Sequence, residues 1–263
     1  MTIEQALRHP GIEPREARLL LAAAAGLSEA SVFAHPEREL AEESCARYRQ
    51  WAARRANGEP VAYILGRKEF YGLDLAVNPA VLIPRPETEL LVELALSRRF
   101  SSVLDLGTGS GAIALALKRH RPDARITAVE ASSEALMVAQ GNAARLGLDV
   151  DFVHGHWLRP VAGRRFDLVV SNPPYVAEDD VHLQALRHEP KAALVSGADG
   201  LTAMREIVAG AAHCLNPGGC LLVEHGFGQA AAVRALFRAA GLEDIQTWPD
   251  LAGIPRVTGG KVK

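Results

Sequence analysis

Apolar residues recur at helical spacing from the start of the chain to about residue 66. The stretch EPREARLLLAAAAGL (13–27) is rich in Leu and Ala, with Pro14 suited to a first helical turn and Gly26 to a helix end. A second helix is predicted over ELAEESCARYRQWAARRANG (39–58), because its acidic residues come early and its arginines late, as the helix dipole favours. No strand pattern interrupts this region, so residues 1–66 are predicted to form a small helical domain.

The pattern changes over KEFYGLDLAVNPAVLIP (68–84), where aromatic and β-branched residues alternate around Gly72 and an Asn-Pro pair. Such alternation, broken by turn residues, is typical of a β-hairpin. We therefore expect a hairpin connector over residues 67–84. The next segment, RPETELLVELAL (85–96), returns to helical spacing.

Strand and helix patterns alternate from residue 101 onward. Short apolar runs predict strands at 102–107, 124–130, 149–155, 166–172 and 218–226. Helical spacing predicts helices at 112–120, 132–147, 200–215 and 229–241. This order is typical of a doubly wound, Rossmann-like parallel sheet, so residues 85–263 are predicted to form one α/β domain. Two weaker strand patterns near the carboxyl terminus predict an antiparallel edge pair.

Composition and charge narrow the classes of function. The 263 residues carry a formal net charge of −2, which gives no large basic footprint for nucleic acid. Three widely spaced cysteines without a CxxC pair argue against a zinc site or a redox dithiol and fit a reducing compartment. No signal peptide is predicted, and no apolar run approaches the ~20 residues that span a bilayer. We therefore expect a cytoplasmic protein without a membrane partner.

A glycine-rich turn follows the first strand of the α/β region. In LDLGTGSGAIALAL (104–117), Gly107, Gly109 and Gly111 allow a tight turn and a close approach of the backbone to a ligand. The turn lies at a strand end and opens a helix, where α/β folds bind their ligands. Glu130 ends the second strand, and its carboxylate can accept hydrogen bonds from ribose hydroxyls.

The glycine turn alone does not choose between two cofactors. The run GTGSGA (107–112) satisfies GxGxG, which is common in S-adenosylmethionine enzymes, and also GxGxxA, a dinucleotide fingerprint. S-Adenosylmethionine has no phosphate, so its loop needs no basic residue, and residues 107–117 contain none. This favours S-adenosylmethionine only slightly, and the choice depends on other residues.

The stretch VVSNPPYVAE (169–178) ends the fourth strand with an amide, two prolines and an aromatic ring. In a doubly wound sheet this strand neighbours the first, so Asn172 is expected beside the glycine turn. The Asn172 oxygen and the carbonyls of Pro173 and Pro174 are hydrogen-bond acceptors. The prolines hold the backbone extended, and Tyr175 adds a flat ring. Such a pocket suits a planar –NH2 group, either an amide or the exocyclic amine of a base.

A planar –NH2 group is a poor nucleophile, because its lone pair is delocalised. Two acceptors that hold both N–H bonds favour a pyramidal nitrogen and aim its lone pair. No strong base is needed at the attack step, since the proton can leave after methyl transfer. The rate gain then comes from positioning and from electrostatics at the developing positive charge.

Four motifs together closely resemble the protein-(glutamine-N5) methyltransferases, whose bacterial members modify peptide chain release factors: LDLGTGSGAIAL (104–115), SNPPY (171–175), VLIPRPETE (81–89) and HEPKAALVSGADGL (188–201). The resemblance covers nearly the whole chain. NPPY is shared with DNA adenine-N6 methyltransferases, so IPRPxTE and EPxxAL carry most of the specificity. The resemblance implies S-adenosylmethionine as methyl donor, S-adenosylhomocysteine as product, and the glutamine amide of the release-factor Gly-Gly-Gln motif as acceptor.

The resemblance also implies roles for individual residues. Glu130 would hold the ribose hydroxyls, Trp157 would lie against the adenine, and the helical domain would help dock the release factor. Asn172 and the Pro173 carbonyl would grip the glutamine NH2, and Tyr175 would stack on its amide plane. The implied catalytic set is Asn172, Pro173, Pro174 and Tyr175. The implied cofactor-binding set is Asp105, Gly107, Thr108, Gly109, Ser110, Gly111, Glu130, Trp157 and Asn172.

The chain departs from the family pattern at two positions. The strand-two acid is usually Asp, whereas Glu130 has a longer reach and the same chemistry. His156 stands where an acid often precedes the Trp, which puts in doubt a polar contact from that side chain to adenine. His154 and His156 form an HxH pair expected on one face of a strand, but no third ligand is apparent, so no metal site is predicted.

Some residues near the motifs have no assigned role. Arg85 is expected either to shape the glutamine pocket or to hold a helix start, and the role of Glu189 is open. Glu224 and His225 end another strand near the carboxyl edge of the sheet, and they are expected to pack structurally rather than to line the pocket.

Alternatives to glutamine methylation differ in what they explain. An N6-adenine methyltransferase needs a basic groove, whereas residues 1–70 carry ten Lys or Arg and ten Asp or Glu. An NAD-dependent oxidoreductase explains the glycine turn but gives NPPY no role, and a silent S-adenosylmethionine-binding protein does not need the acceptor set. We therefore expect a monomeric enzyme that acts on release factors and makes no direct contact with nucleic acid.

Overall fold

The computed structural model describes residues 1–8 and 11–263, which divide into two compact units, Met1–Arg67 and Lys68–Lys263. Each unit has its own cluster of buried apolar side chains. In the described part of the chain, no helix is both long enough and apolar enough to cross a membrane.

The first unit is helical. Its described residues form α1 (Ile3–Leu7), α2 (Pro14–Ala25), α3 (Glu29–Ala34), α4 (Glu42–Ala56) and α5 (Val61–Leu65). Pro14 opens α2, and Gly26 ends it in the left-handed conformation with φ 66°, as the sequence predicts. Leu20 and Leu21 of α2 pack with Tyr48 of α4 in the core of this unit.

A β-hairpin follows, with strands β1 (Arg67–Phe70) and β2 (Leu73–Ala76). Leu73 and Leu75 are buried while the residues between and after them are exposed, so one face of β2 joins the core. Asn142 holds the end of β2, because its amide accepts from the Ala76 N–H at 2.7 Å and donates to the Ala76 carbonyl at 3.0 Å. The predicted hairpin is confirmed.

After the hairpin, the second unit contains a seven-stranded sheet. Its strands are β3 (Ser102–Leu106), β4 (Arg125–Glu130), β5 (Asp151–His154), β6 (Phe166–Ser171), β7 (Leu215–Glu224), β8 (Glu243–Pro249) and β9 (Pro255–Lys261). The spatial order is β5-β4-β3-β6-β7-β9-β8, with β3 to β7 parallel and β9 antiparallel to both its neighbours. The predicted parallel sheet with a terminal antiparallel pair is confirmed.

Helices cover both faces of this sheet. They are α6 (Glu89–Leu96), α7 (Ala112–His120), α8 (Ser133–Leu146), α9 (Thr202–Cys214) and α10 (Ala230–Ala239). Val103 belongs to the apolar cluster with Leu91 and Leu115, whereas its neighbour Leu104 belongs to the cluster with Met204. Because successive side chains of a strand point to opposite faces, this division is that of a doubly wound sheet.

The topology brings two strand ends together at the switch point. β3 has β4 on one side and β6 on the other, with Leu106 opposite Ser171. The Ser171 hydroxyl donates to the Leu106 carbonyl at 2.7 Å and ties the two ends. The glycine turn and Asn172, which follow these residues, therefore emerge side by side.

The strand predicted at 149–155 is shorter in the structure, Asp151–His154, and this changes the placement of His156. β5 ends at His154, which pairs with Glu130, the last residue of β4. No further β4 backbone is left to extend the ladder, so His156 lies beyond the strand. The prediction that His154 and His156 share one strand face is therefore wrong.

Candidate active site

The glycine turn lies at the carboxyl end of β3 and bends toward β4. The backbone N–H groups of Gly107 and Thr108 donate to the Val129 carbonyl at 2.9 and 3.1 Å. Gly107 has φ 73°, and a Cβ built there would lie 3.1 Å from a ring carbon of Trp157. Position 107 therefore needs glycine both for its backbone conformation and for the approach of the ring.

Asp105 supports this turn from within the sheet. It is fully buried, and one carboxylate oxygen accepts from the Thr108 hydroxyl at 2.6 Å. The other oxygen is buried without a hydrogen-bond partner among the described residues. Burial raises the pKa of Asp105 to about 7. Thr108 lines the cavity described below, whereas Asp105 lies behind it and does not line the cavity.

Glu130 closes the other side of the turn. One of its oxygens accepts from the Gly109 N–H and the other from the Ser132 N–H, each at 2.9 Å. These bonds fix the carboxylate while each oxygen keeps a second lone pair. Glu130 also lines the cavity, so it has the free acceptor capacity that contact with ribose hydroxyls requires.

Trp157 lines the cavity next to the turn, with its ring against Gly107. Its backbone is left-handed, with φ 47°, which is uncommon for a large side chain and marks a constrained position. The His156 ring contacts it edge-on, with centroids 5.3 Å apart, and lies 3.6 Å from Glu206. The indole is thus a cavity-lining aromatic ring with contacts to His156 and to the glycine turn.

Asn172 stands at the end of β6, on the edge of the same cavity. Its amide nitrogen donates to the Thr88 hydroxyl oxygen at 3.0 Å. The amide oxygen is therefore the end that remains for a ligand.

The rest of NPPY is divided between the cavity and the interior. Pro174 lines the cavity, whereas Pro173 is buried. Tyr175 is half-buried; its hydroxyl lies 3.4 Å from Glu224, and its ring lies against Gly226. Burial raises the pKa of Tyr175, so this phenol stays protonated and donates.

Glu224 ends β7 and is buried behind Asn172. The Tyr175 hydroxyl lies 3.4 Å from its carboxylate, and interaction with the Thr88 side chain favours the ionised form. Burial nevertheless raises the pKa of Glu224 to about 7. Asn172, Thr88, Glu224 and Tyr175 thus form one connected polar group.

Arg85 and Glu189 join two of the sequence motifs. The buried Glu189 carboxylate accepts from the Ile83 N–H at 3.1 Å and from the Arg85 guanidinium. Arg85 also lines the cavity. The pair therefore holds the segment before α6 against the segment around Glu189.

The cavity between these groups has a volume of about 380 Å³, within the usual range for a small-molecule site. Its wall includes most of the predicted cofactor residues: Gly107, Thr108, Gly109, Ser110, Glu130, Trp157 and Asn172. A glycine cradle, a fixed carboxylate and an indole suit a ligand that carries a ribose and an aromatic base. The residues present therefore fit S-adenosylmethionine.

The two histidines of the HxH pattern make other contacts. His154 Nε2 lies 2.9 Å from the Ala131 carbonyl, and His156 contacts Trp157 and Glu206 as described. Within residues 1–8 and 11–263, no group of three or more His, Cys, Asp or Glu side chains is arranged to hold a metal.

The sequence does not predict the contact between Thr88 and Asn172, nor that Glu224 is buried within reach of Tyr175. A signal for Glu224 was present, since a carboxyl ends the apolar run CLLVE (220–224) beside the strand that carries Asn172.

Comparison with known families matches two parts of the chain. Residues 2–66 match the PrmC N-terminal domain, and residues 86–199 match the methyltransferase small domain. The chain is 48% identical over 265 residues to the release factor glutamine methyltransferase of Bordetella pertussis, covering 98% of each chain. It is 47% identical over 274 residues to that of Burkholderia pseudomallei, covering 99% of this chain and 96% of that one.

Solved structures share the fold at low identity. A methyltransferase from Pyrococcus furiosus superposes with a TM-score of 0.59 at 19% identity, covering 80% of this chain and 96% of that one. A 16S rRNA methyltransferase of T. thermophilus, solved with AdoMet and guanosine, gives 0.57 at 21% identity, covering 75% and 50%. These likenesses concern the fold alone.

Proposed function

Because the chain belongs to the release factor glutamine methyltransferase family, we propose that it methylates the side-chain amide nitrogen of a glutamine in peptide chain release factors. S-Adenosylmethionine supplies the methyl group on its sulfonium and leaves as S-adenosylhomocysteine. The acceptor is the glutamine of the Gly-Gly-Gln motif.

The observation that carries this function is the placement of Asn172 beside the glycine turn, with its amide nitrogen engaged by Thr88. Its oxygen accepts one N–H of the glutamine amide, and the Pro173 carbonyl accepts the other. Two acceptors at fixed positions turn the delocalised lone pair toward the methyl donor. The nitrogen loses its extra proton after the new N–C bond has formed.

The other predicted residues assist binding. Gly107 to Gly111 and Glu130 hold the methionine and ribose of the cofactor, and Trp157 lies against its adenine. The Tyr175 ring flanks the acceptor amide. Asp105 supports Thr108 from behind the cavity wall.

We assign docking of the release factor to the helical domain, residues 1–66, with the hairpin at 67–84 as connector and residues 85–263 as the catalytic domain. The separate match of residues 2–66 to its own domain family supports this assignment. We also propose that the enzyme acts as a monomer in the cytoplasm, where release factors work; its three free, buried cysteines fit that compartment.

Nucleic acid is not the proposed substrate. The net charge of −2 gives no general attraction to phosphates, and the similarity to RNA methyltransferases concerns only the fold. The N6-adenine alternative predicts methylated DNA or RNA instead.

Mass spectrometry tests the function directly. We expect one added methyl group on the Gly-Gly-Gln glutamine after purified release factor is incubated with the enzyme and S-adenosylmethionine. Release factor in which that glutamine is replaced by glutamate serves as the matched control and gains none. A methyl group found on DNA or RNA, with none on release factor, overturns the proposal.

A further inference from the structure

A buried carboxyl that the proposed reaction does not use lies directly behind Asn172. Glu224 is 1% exposed and ends β7. Ser171 pairs with Val223 across β6 and β7, so Asn172 and Glu224 are the next residues along two adjacent strands. A carboxyl at this depth is costly to bury and calls for a reason.

One hydroxyl interacts with both this carboxyl and the Asn172 amide. Thr88 is 4% exposed, and its oxygen lies 3.0 Å from the Asn172 amide nitrogen. Its interaction with Glu224 favours the ionised carboxyl and lowers the pKa of that group, against the larger effect of burial. Tyr175 approaches the same carboxylate at 3.4 Å. The second oxygen of Glu224 is buried without a partner among the described residues.

The single proton of the Thr88 hydroxyl sets the direction of this chain of bonds. An ionised carboxylate only accepts, so Thr88 must give its proton to Glu224. The Thr88 oxygen can then only accept, and it takes the NH2 end of Asn172. A flipped Asn172 would place its oxygen against the Thr88 oxygen with no proton between them.

We propose that Glu224 is a positioning residue which, through Thr88, fixes the orientation of the Asn172 carboxamide so that its oxygen faces the acceptor nitrogen. This inference rests on the proposed function, because it deepens the account of the same site. Glu224 itself does not touch the substrate.

The charge of Glu224 controls how strictly the orientation is held. Its titratable and charged neighbours are Tyr175 after β6, Glu87 before α6, Arg256 of β9 and the adjacent His225. Arg256 is already paired with Asp250 at 3.0 Å. The pKa of Glu224, raised to about 7, means that the carboxyl gains a proton as pH falls through neutrality. A protonated carboxyl can donate to Thr88, which frees the Thr88 proton to point at Asn172.

Substitutions at Thr88 test the connection without removing the carboxyl. We expect Thr88→Val to lower kcat on release factor by about tenfold or more, with the S-adenosylmethionine Kd within about twofold of wild type. Thr88→Ser, which keeps the hydroxyl, should recover most of that loss. Thr127→Val is the matched control, since it removes a buried hydroxyl that bonds to Arg164 and Asp151, and it should leave kcat unchanged.

Substitutions at Glu224 give two further readouts. In wild type, kcat should fall as pH drops through about 7, and Glu224→Gln should flatten that limb, because Gln does not titrate there. In the Thr88→Val background, Glu224→Gln should add little further loss, because without the Thr88 hydroxyl the side chain at position 224 no longer acts on Asn172.

The outcomes separate this inference from the proposed function. Failure of the wild-type enzyme to methylate release factor rejects the function itself. If wild type is active but Thr88→Val keeps its kcat, or the two substitutions simply add, the positioning role is overturned. Intact S-adenosylmethionine binding in each variant shows that it has folded.

Discussion

At the scale of single residues, the proposed site works by orienting the Asn172 side chain rather than by a reactive nucleophile or base. None of the groups around Asn172 is a strong nucleophile or base. Its amide is instead placed by Thr88 and by the strand end that Ser171 fixes to Leu106. Loss of a positioning contact therefore should affect turnover far more than cofactor affinity.

Replacing Asn172 tests this expectation. We expect Asn172→Ala to lose turnover by at least ~10²-fold while S-adenosylmethionine binding, measured by calorimetry, stays largely intact. Asn216→Ala is the control. Asn216 lies at the start of β7, donates to Asp167 and does not line the cavity. Near-wild-type turnover in Asn172→Ala would falsify the amide-gripping role.

Replacing Gly107 should instead weaken cofactor binding. Gly107→Ala places a methyl group 3.1 Å from the Trp157 ring in a left-handed backbone, so the S-adenosylmethionine Kd should rise about tenfold or more. Gly147→Ala controls for backbone strain, because Gly147 has φ 64° but no atom within 4 Å of the added Cβ. Equal affinities in the two variants, measured by calorimetry, would show that the approach of Trp157 does not matter for binding.

At the scale of elements, much of the architecture follows from the sequence. The strand order at the switch point could be predicted, because parallel βαβ units connect in few ways, and it placed Asn172 beside the glycine turn. The hydrogen bond between Asn172 and Thr88 could not be predicted, since these residues are 84 positions apart and no periodic pattern relates them. The burial of Glu224 depends on β9, which pairs beside β7 and had only a weak strand pattern.

Asn142 shows how a side chain connects separate elements. Its amide is fully buried on α8 and bonds to both backbone groups of Ala76 and to the Ser110 carbonyl at 2.9 Å. Asn142→Leu leaves those groups buried and unpaired, so we expect the free energy of unfolding to fall by about 2–4 kcal/mol. Denaturant unfolding measures this loss.

The same helix provides the control. Gln140 is exposed on α8, and Gln140→Ala should change the free energy of unfolding by less than about 0.5 kcal/mol. Because Ser110 belongs to the glycine turn, Asn142→Leu should also weaken S-adenosylmethionine binding, whereas Gln140→Ala should not. A variant of Asn142 with wild-type stability would contradict this role of the buried amide.

At the scale of the whole molecule, the chain combines two units that match two different domain families. Every residue that lines the cavity belongs to the second unit, Lys68–Lys263. Recognition of a large protein substrate is a task that the cavity, at about 380 Å³, is too small to perform alone.

Hydrogen–deuterium exchange of the full chain tests this division. Addition of intact release factor should slow exchange in peptides within residues 1–66 as well as around the cavity, because docking buries surface on both. A short peptide that contains only the Gly-Gly-Gln motif is the matched ligand, and it should slow exchange around the cavity alone. If intact release factor protects only residues 68–263, the helical domain does not dock the substrate, and its assignment must be abandoned while the methyltransferase chemistry stands.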